Sequence, residues 1–150
     1  MNHRRALILF LVLVVGGGLA IGYLTTPGEW YARLAKPSFT PPGWVFGPVW
    51  TVLYVLIAVA GWLVWRRDRA GWPMKLWGMQ LVLNFLWSPI FFSAHRIGIA
   101  MAIILLLLAA ILAFTVTSWR QDRMAAWLFV PYAAWVAFAS ALNGAILSLN

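Results

Sequence analysis

Residues 97–119 read IGIAMAIILLLLAAILAFTVTSW, 23 residues without one charged side chain. A helix needs about 20 apolar residues to cross roughly 30 Å of hydrocarbon. A helix on the surface of a soluble protein keeps a polar stripe, and this stretch has none. It belongs in a bilayer. Working outward, the same signal recurs at 6–25, 44–65, 74–93 and 124–149. The 150-residue chain is 64% hydrophobic and 9% charged, with mean hydropathy +0.88. Soluble domains carry about 45–50% apolar and about 25% charged residues. The predicted fold class is therefore all-α: an integral membrane bundle of five transmembrane helices forming one domain, 1–150.

All three acids, Glu29, Asp68 and Asp122, fall in the breaks between these runs, as do nearly all eleven bases. The net charge of +8 is scattered over short connections, which reads as membrane-flanking cations and not as a nucleic-acid surface. His3, Arg4 and Arg5 precede the first run as they would in a signal peptide, but the run is too long and lacks a clean cleavage site, so it is expected to be a retained helix. With five spans the termini lie on opposite sides. Eight bases (Arg4, Arg5, Arg66, Arg67, Arg69, Lys75, Arg120, Arg123) share the N-terminal side and three (Arg33, Lys36, Arg96) the other. The positive-inside bias then predicts a cytoplasmic N terminus and an outer C terminus. The longest connection, TPGEWYARLAKPSFTPPG (26–43), is broken by prolines yet carries Trp30, Tyr31 and Phe39. Such rings are unusual in a solvated linker, so this loop is expected to fold over the mouth of the bundle. The other connections are short, which makes consecutive helices antiparallel neighbours. There is no convincing internal repeat, which disfavours an inverted-repeat transporter.

No ionisable residue sits deep within a span, which argues against proton relays, ion-coupled transport and voltage sensing. Cysteine is absent and the two histidines are isolated, so no metal site is expected. Paired carboxylates and glycine-rich phosphate loops are also missing. What remains is a set of aromatic and amide faces. Trp50, Tyr54, Ile57 and Gly61 share one side of the second span, and Gln80, Asn84, Trp87 and Phe91 one side of the third. A carboxamide left unpaired in hydrocarbon costs roughly 2–7 kcal/mol. Gln80 and Asn84 must therefore meet another helix, trapped water or a ligand.

On the fifth span, Ala133, Ala137, Ala141 and Ala145 form a small-residue stripe suited to close helix packing. Trp135, Ala139, Leu142 and Ile146 lie roughly 160° from it, so Trp135 is expected to face lipid or an interior cavity. Pro89 frees the Phe85 carbonyl and should kink the third span. Gly18 and Gly22 make a packing GxxxG, and Trp62, Trp65, Trp72, Trp119 and Trp127 fall at span ends as interfacial anchors. Asn143, near the outer end of the last span, suits a cap or an interhelical bond.

Three segments, KPSFTPPGWVFGPVWTVLY (36–54), QLVLNFLWSPIFF (80–92) and PYAAWVAFASALN (131–143), resemble the TspO/MBR family of translocator proteins, peripheral-type benzodiazepine receptors and tryptophan-rich sensory proteins. With WYARL before the first segment and eleven tryptophans, the resemblance covers nearly the whole chain. It implies a five-helix bundle, often dimeric, with a pocket under the first long loop that binds tetrapyrroles such as protoporphyrin IX, isoquinoline-carboxamide and benzodiazepine drugs. Carried over by motif, that pocket involves Tyr31, Pro41, Phe46, Trp50 and Tyr54, then Asn84, Trp87 and Ser88, then Trp135, Ala139 and Leu142.

Some bacterial members of the family degrade bound porphyrin in light, and the resemblance points to Trp50 and Trp135 as the corresponding residues. An excited porphyrin can exchange electrons with an adjacent indole. Receptor, light-driven enzyme and porphyrin or lipid transporter all remain open at this point. No obligatory cofactor is implied; porphyrin enters as a ligand. Animal members carry a Tyr and a basic residue after the final LN that form a proposed cholesterol motif, whereas residues 142–150 here read LNGAILSLN. The departure removes most reason to assign a sterol and fits a bacterial cell-membrane protein. The expected partners are the bilayer, a tetrapyrrole or drug-like molecule and a second copy of the chain, with Gly78 or the alanine stripe as candidate dimer contacts.

Overall fold

A computed structural model describes all 150 residues. Five helices are long and apolar enough to cross a membrane: α1 (His3–Leu24), α3 (Gly43–Arg67), α4 (Trp72–Ser93), α5 (Ile97–Ser118) and α6 (Arg123–Leu149). The short helix α2 (Glu29–Arg33) lies in the long loop. Each span begins and ends within about three residues of its expected limits, because charges, prolines and glycines punctuate the hydrophobic runs so sharply.

Around the bundle the order is α1, α3, α6, α5, α4. The pairs α4–α5 and α5–α6 are the antiparallel neighbours that their short turns require. α3 behaves differently: it sits mainly between α1 and α6 and meets α4 in one short contact. α1 is peripheral, with only Ala6, Val14 and Gly18 buried. Gly18 is the half of GxxxG that matters, since a Cβ there would overlap the Tyr54 ring, while Gly22 faces open space.

One end of the bundle carries the eight bases and is held by amphipathic pairs. Arg66 lies over the Trp62 ring at 4.2 Å, Arg69 over Trp65 at 4.0 Å, Lys75 over Trp72 at 5.0 Å and Arg123 over Trp119 at 4.7 Å. Arg66 and Lys75 follow their indoles within one helix, so helical geometry brings those pairs together, whereas Arg69 and Arg123 reach theirs across a helix end and a turn. This is the anchoring expected of the span-end tryptophans. Asp122, only 7% exposed, caps α6 by accepting the Ala125 N–H (3.2 Å) and also accepts from Arg67 Nε of α3 (3.4 Å).

Two expectations need revision. The alanine stripe of α6 does not close the bundle: Ala137 and Ala141 are exposed, and the inward face is Ala125, Phe129, Tyr132, Val136, Ser140 and Asn143. The reason is the solvent. Alanine loses nothing against lipid tails, whereas the polar atoms of Tyr132, Ser140 and Asn143 must find partners inside. Pro89 does more than kink its helix. The regular α-helix stops at Ser88, and Pro89–Ser93 continues as one π-helical turn. The widened turn closes with Ala94 N–H donating to the Pro89 carbonyl (2.9 Å). A second π turn, Val12–Gly16, interrupts α1.

Candidate functional site

The buried carboxamides of α4 are answered by another helix. Asn84 Nδ2 donates to Tyr132 Oη (2.6 Å), and Tyr132 Oη donates to Gln80 Oε1 (2.8 Å). Gln80 Nε2 in turn donates to the Trp77 carbonyl (2.8 Å), and Trp77 Nε1 to the Ile57 carbonyl of α3 (2.8 Å). The Trp77 indole reaches that carbonyl because Gly61 has no side chain; a Cβ there would overlap the indole. One chain of hydrogen bonds thus ties α6, α4 and α3, and in a low-dielectric interior such a network holds its members rigidly. Trp50 closes on this floor, with its ring 5.5 Å from Tyr54 and 6.4 Å from Tyr132. Asn84 keeps one group in reserve, since its Oδ1 has no protein partner.

Toward the other end the polar links give way to rings. Trp87 stacks on Phe91 at 5.1 Å and meets Phe92 edge-on at 5.7 Å. Tyr31, from α2, stands edge-on to Phe91 (6.2 Å) and Phe92 (5.3 Å). Phe46 from the start of α3 meets Trp135 of α6 at 5.9 Å. Beneath them Phe91, Ala100, Leu142 and Ile146 form a small core of their own, separate from the main one. The loop covers this assembly as expected. Trp30 lies flat on His95 (4.1 Å, planes 10° apart) and edge-on to Phe91, and Phe39 touches Phe138. Asn150 adds a two-point clamp, accepting the Ala35 N–H (3.1 Å) and donating to the Ala35 carbonyl (2.9 Å). His95 holds a left-handed backbone (φ 58°) that ends the π turn, a conformation a non-glycine residue seldom adopts. Burial raises the Tyr31 hydroxyl above its ordinary pKa, so the ring stays neutral at physiological pH.

The expected site residues thus divide. Tyr31, Phe46, Trp87 and Leu142 belong to the ring assembly; Trp50, Tyr54 and Asn84 belong to the floor around Tyr132. Trp135 joins the two, packed against the main core while touching Phe46, and Ala139 packs on that core as well. Ser88 turns away to bond Thr25 at the end of α1 (2.6 Å), and Pro41 is half-buried in the loop. Asn143 makes the interhelical bond foreseen for it, accepting from Trp87 Nε1 (3.0 Å) and donating to the Ile97 carbonyl (3.3 Å). Tyr132, Phe92 and Trp30 complete the site without having been singled out as pocket residues. Tyr132 was signalled only indirectly, through the need of Gln80 and Asn84 for a partner.

No group of three or more His, Cys, Asp or Glu side chains is placed to hold a metal. The arrangement offers ring faces and a few neutral hydrogen-bonding groups, which suits capture of a flat apolar molecule.

The sequence model of the TspO/MBR family matches residues 9–149. The chain is 42% identical to the translocator protein of Homo sapiens over 134 residues, covering 84% of this chain and 79% of that one. It is 36% identical to protein CrtK of Rhodobacter capsulatus (97% and 94% covered) and 35% identical to the tryptophan-rich sensory protein of Cereibacter sphaeroides (100% and 95% covered). Five spans, the loop-covered ring assembly and matches along nearly the whole length agree: this multi-pass membrane protein belongs to the TspO/MBR family.

Proposed function

We propose that the chain is a membrane receptor or carrier that holds a tetrapyrrole such as protoporphyrin IX, or an aromatic amide of the isoquinoline or benzodiazepine type, in the loop-covered half of the bundle. The observation that carries this reading is the convergence of Tyr31, Phe46, Trp87 and Trp135, from four different helices, with Phe91 and Phe92 under one loop. A porphyrin is a flat apolar disc that stacks on such faces. The free Oδ1 of Asn84 would meet a donor on the ligand. Binding parts the packed rings, and the π turn and loop are the elements that yield. The eight bases at one end against three at the other orient the protein with its N terminus in the cytoplasm.

Titration with protoporphyrin IX in the dark, followed by tryptophan emission, tests the reading. Saturable quenching in roughly the micromolar range is expected, weakened at least several-fold in Trp50→Phe and in Asn84→Ala. Linear quenching that is identical in all three proteins rejects it. Illumination in oxygen then separates a receptor, which returns the porphyrin intact, from an enzyme that yields one defined product through Trp50 and Trp135.

A further inference from the structure

On the lipid-facing side of the bundle a groove of about 590 Å³ runs between α3 and α6, lined among others by Val52, Pro131, Ala134, Trp135 and Phe138. A second depression, of about 470 Å³, lies at the loop end beside His95, Arg96 and Asn150 and has a polar rim. The second touches the ring assembly at Trp30, but only the first is bounded by apolar side chains throughout, and it shares a wall of its own with the assembly. That wall is Trp135, whose other neighbour is Phe46.

Two features make this wall movable. Trp135 Nε1 is buried without any hydrogen-bond partner, an unfavourable state for a donor in hydrocarbon. Turning the indole therefore breaks no hydrogen bond, and an acceptor on an arriving molecule would relieve the orphaned N–H. Pro131, one helical turn before Trp135, has no N–H and leaves the Trp127 carbonyl without its intrahelical partner. A helix lacking a rung beside the groove bends there more readily than an intact one.

We propose that this groove is a lateral door: a tetrapyrrole already dissolved in the bilayer enters between α3 and α6, and the Trp135 indole swings aside to admit it to the ring assembly. The inference rests on the reading that the assembly holds a tetrapyrrole. It fits the chemistry of such a ligand, whose apolar disc partitions into lipid before it meets the protein, and whose carboxylates supply the acceptor that Trp135 lacks.

The native chain has no cysteine, so Ala134→Cys places a single thiol in the groove. Full-length protein in lipid nanodiscs is labelled with benzyl methanethiosulfonate after folding, and protoporphyrin IX binding and release are timed in the dark by tryptophan quenching. The label should slow association and dissociation together by at least tenfold, with the equilibrium affinity held within about twofold, and reduction of the mixed disulfide should restore both rates. A door changes both rates equally because it lies on the path and not in the site. The same label on Ala109→Cys, on the exposed face of α5, should leave the rates alone. Val52→Phe, across the groove, should reproduce the slowing without chemistry. Unchanged rates with the label in the groove overturn the door, as does equal slowing from the label on α5. Weakened affinity at an unchanged association rate also overturns it, by making the groove part of the site. Wild-type protein that does not bind protoporphyrin overturns the functional reading itself, and the door with it, whereas binding with unaffected kinetics overturns the door alone.

Discussion

At the basic end of the bundle the Trp77 indole sits in the notch left by Gly61 and donates a hydrogen bond to the backbone of α3. At the loop end the Trp30 indole lies flat on His95 and makes no hydrogen bond. The two tryptophans close opposite ends of one molecule by different physics. The first is fixed by shape and by a directional bond, and its carbonyl extends that order through Gln80 and Tyr132 to Asn84. The second is held by stacking, which tolerates sliding and parting at low cost. The proposed reading, a bundle that stays assembled in lipid and still opens for a flat ligand, calls for both, with the firmer closure at the basic end and the stacked one at the loop end.

The contrast is broken most directly at the notch. Gly61→Leu forces the Trp77 indole out and parts its N–H from the Ile57 carbonyl, which should cost about 3 kcal/mol or more, read as thermal unfolding in detergent. If Gly61→Leu unfolds at the wild-type temperature, the basic end is not the rigid half. Tyr132→Phe comes next. It deprives Gln80 Oε1 and Asn84 Nδ2 of their partner at once, and a loss of about 1–3 kcal/mol is expected. Asn143→Ala removes the acceptor of the half-buried Trp87 N–H and should cost about 1 kcal/mol. The smallest effect belongs to the loop end. His95→Gly keeps the left-handed backbone at no steric cost while deleting the ring beneath Trp30. Unfolding should stay within about 1 kcal/mol of wild type, yet limited proteolysis within 26–42 should accelerate. A loss as large as that of Gly61→Leu would erase the distinction between the halves.

Much of this is legible in the amino-acid sequence. The spans follow from hydropathy because a bilayer admits only helices and closed barrels, and unbroken apolar runs of this length fit helices alone. The tryptophans expected at span ends do lie there, and Trp62, Trp65, Trp72 and Trp119 are each set against a cation, Arg66, Arg69, Lys75 or Arg123, by a helix turn or the tight connection beside it. The faces of α3 and α4 are visible as periodicity, but not what they touch: Gln80 and Asn84 demand a partner without naming Tyr132. The alanine stripe permits close packing without naming a partner, and within one chain Ala137 and Ala141 stay exposed. The decisive preference on α6 is the need of Tyr132, Ser140 and Asn143 to hide polar atoms. Pro89 announces an irregularity, and only the three-dimensional arrangement turns it into a π turn that sets Phe91 and Phe92 under the loop.

Hydrogen exchange of the wild-type protein in lipid, with and without saturating protoporphyrin IX in the dark, tests the division of labour most directly, since exchange reports local opening region by region. The division predicts slowed exchange in 26–42 and 89–96 on binding, with 57–63 and 74–80 already protected and unchanged. Protection gained equally at both ends, or gained only around Gly61 and Trp77, would contradict it.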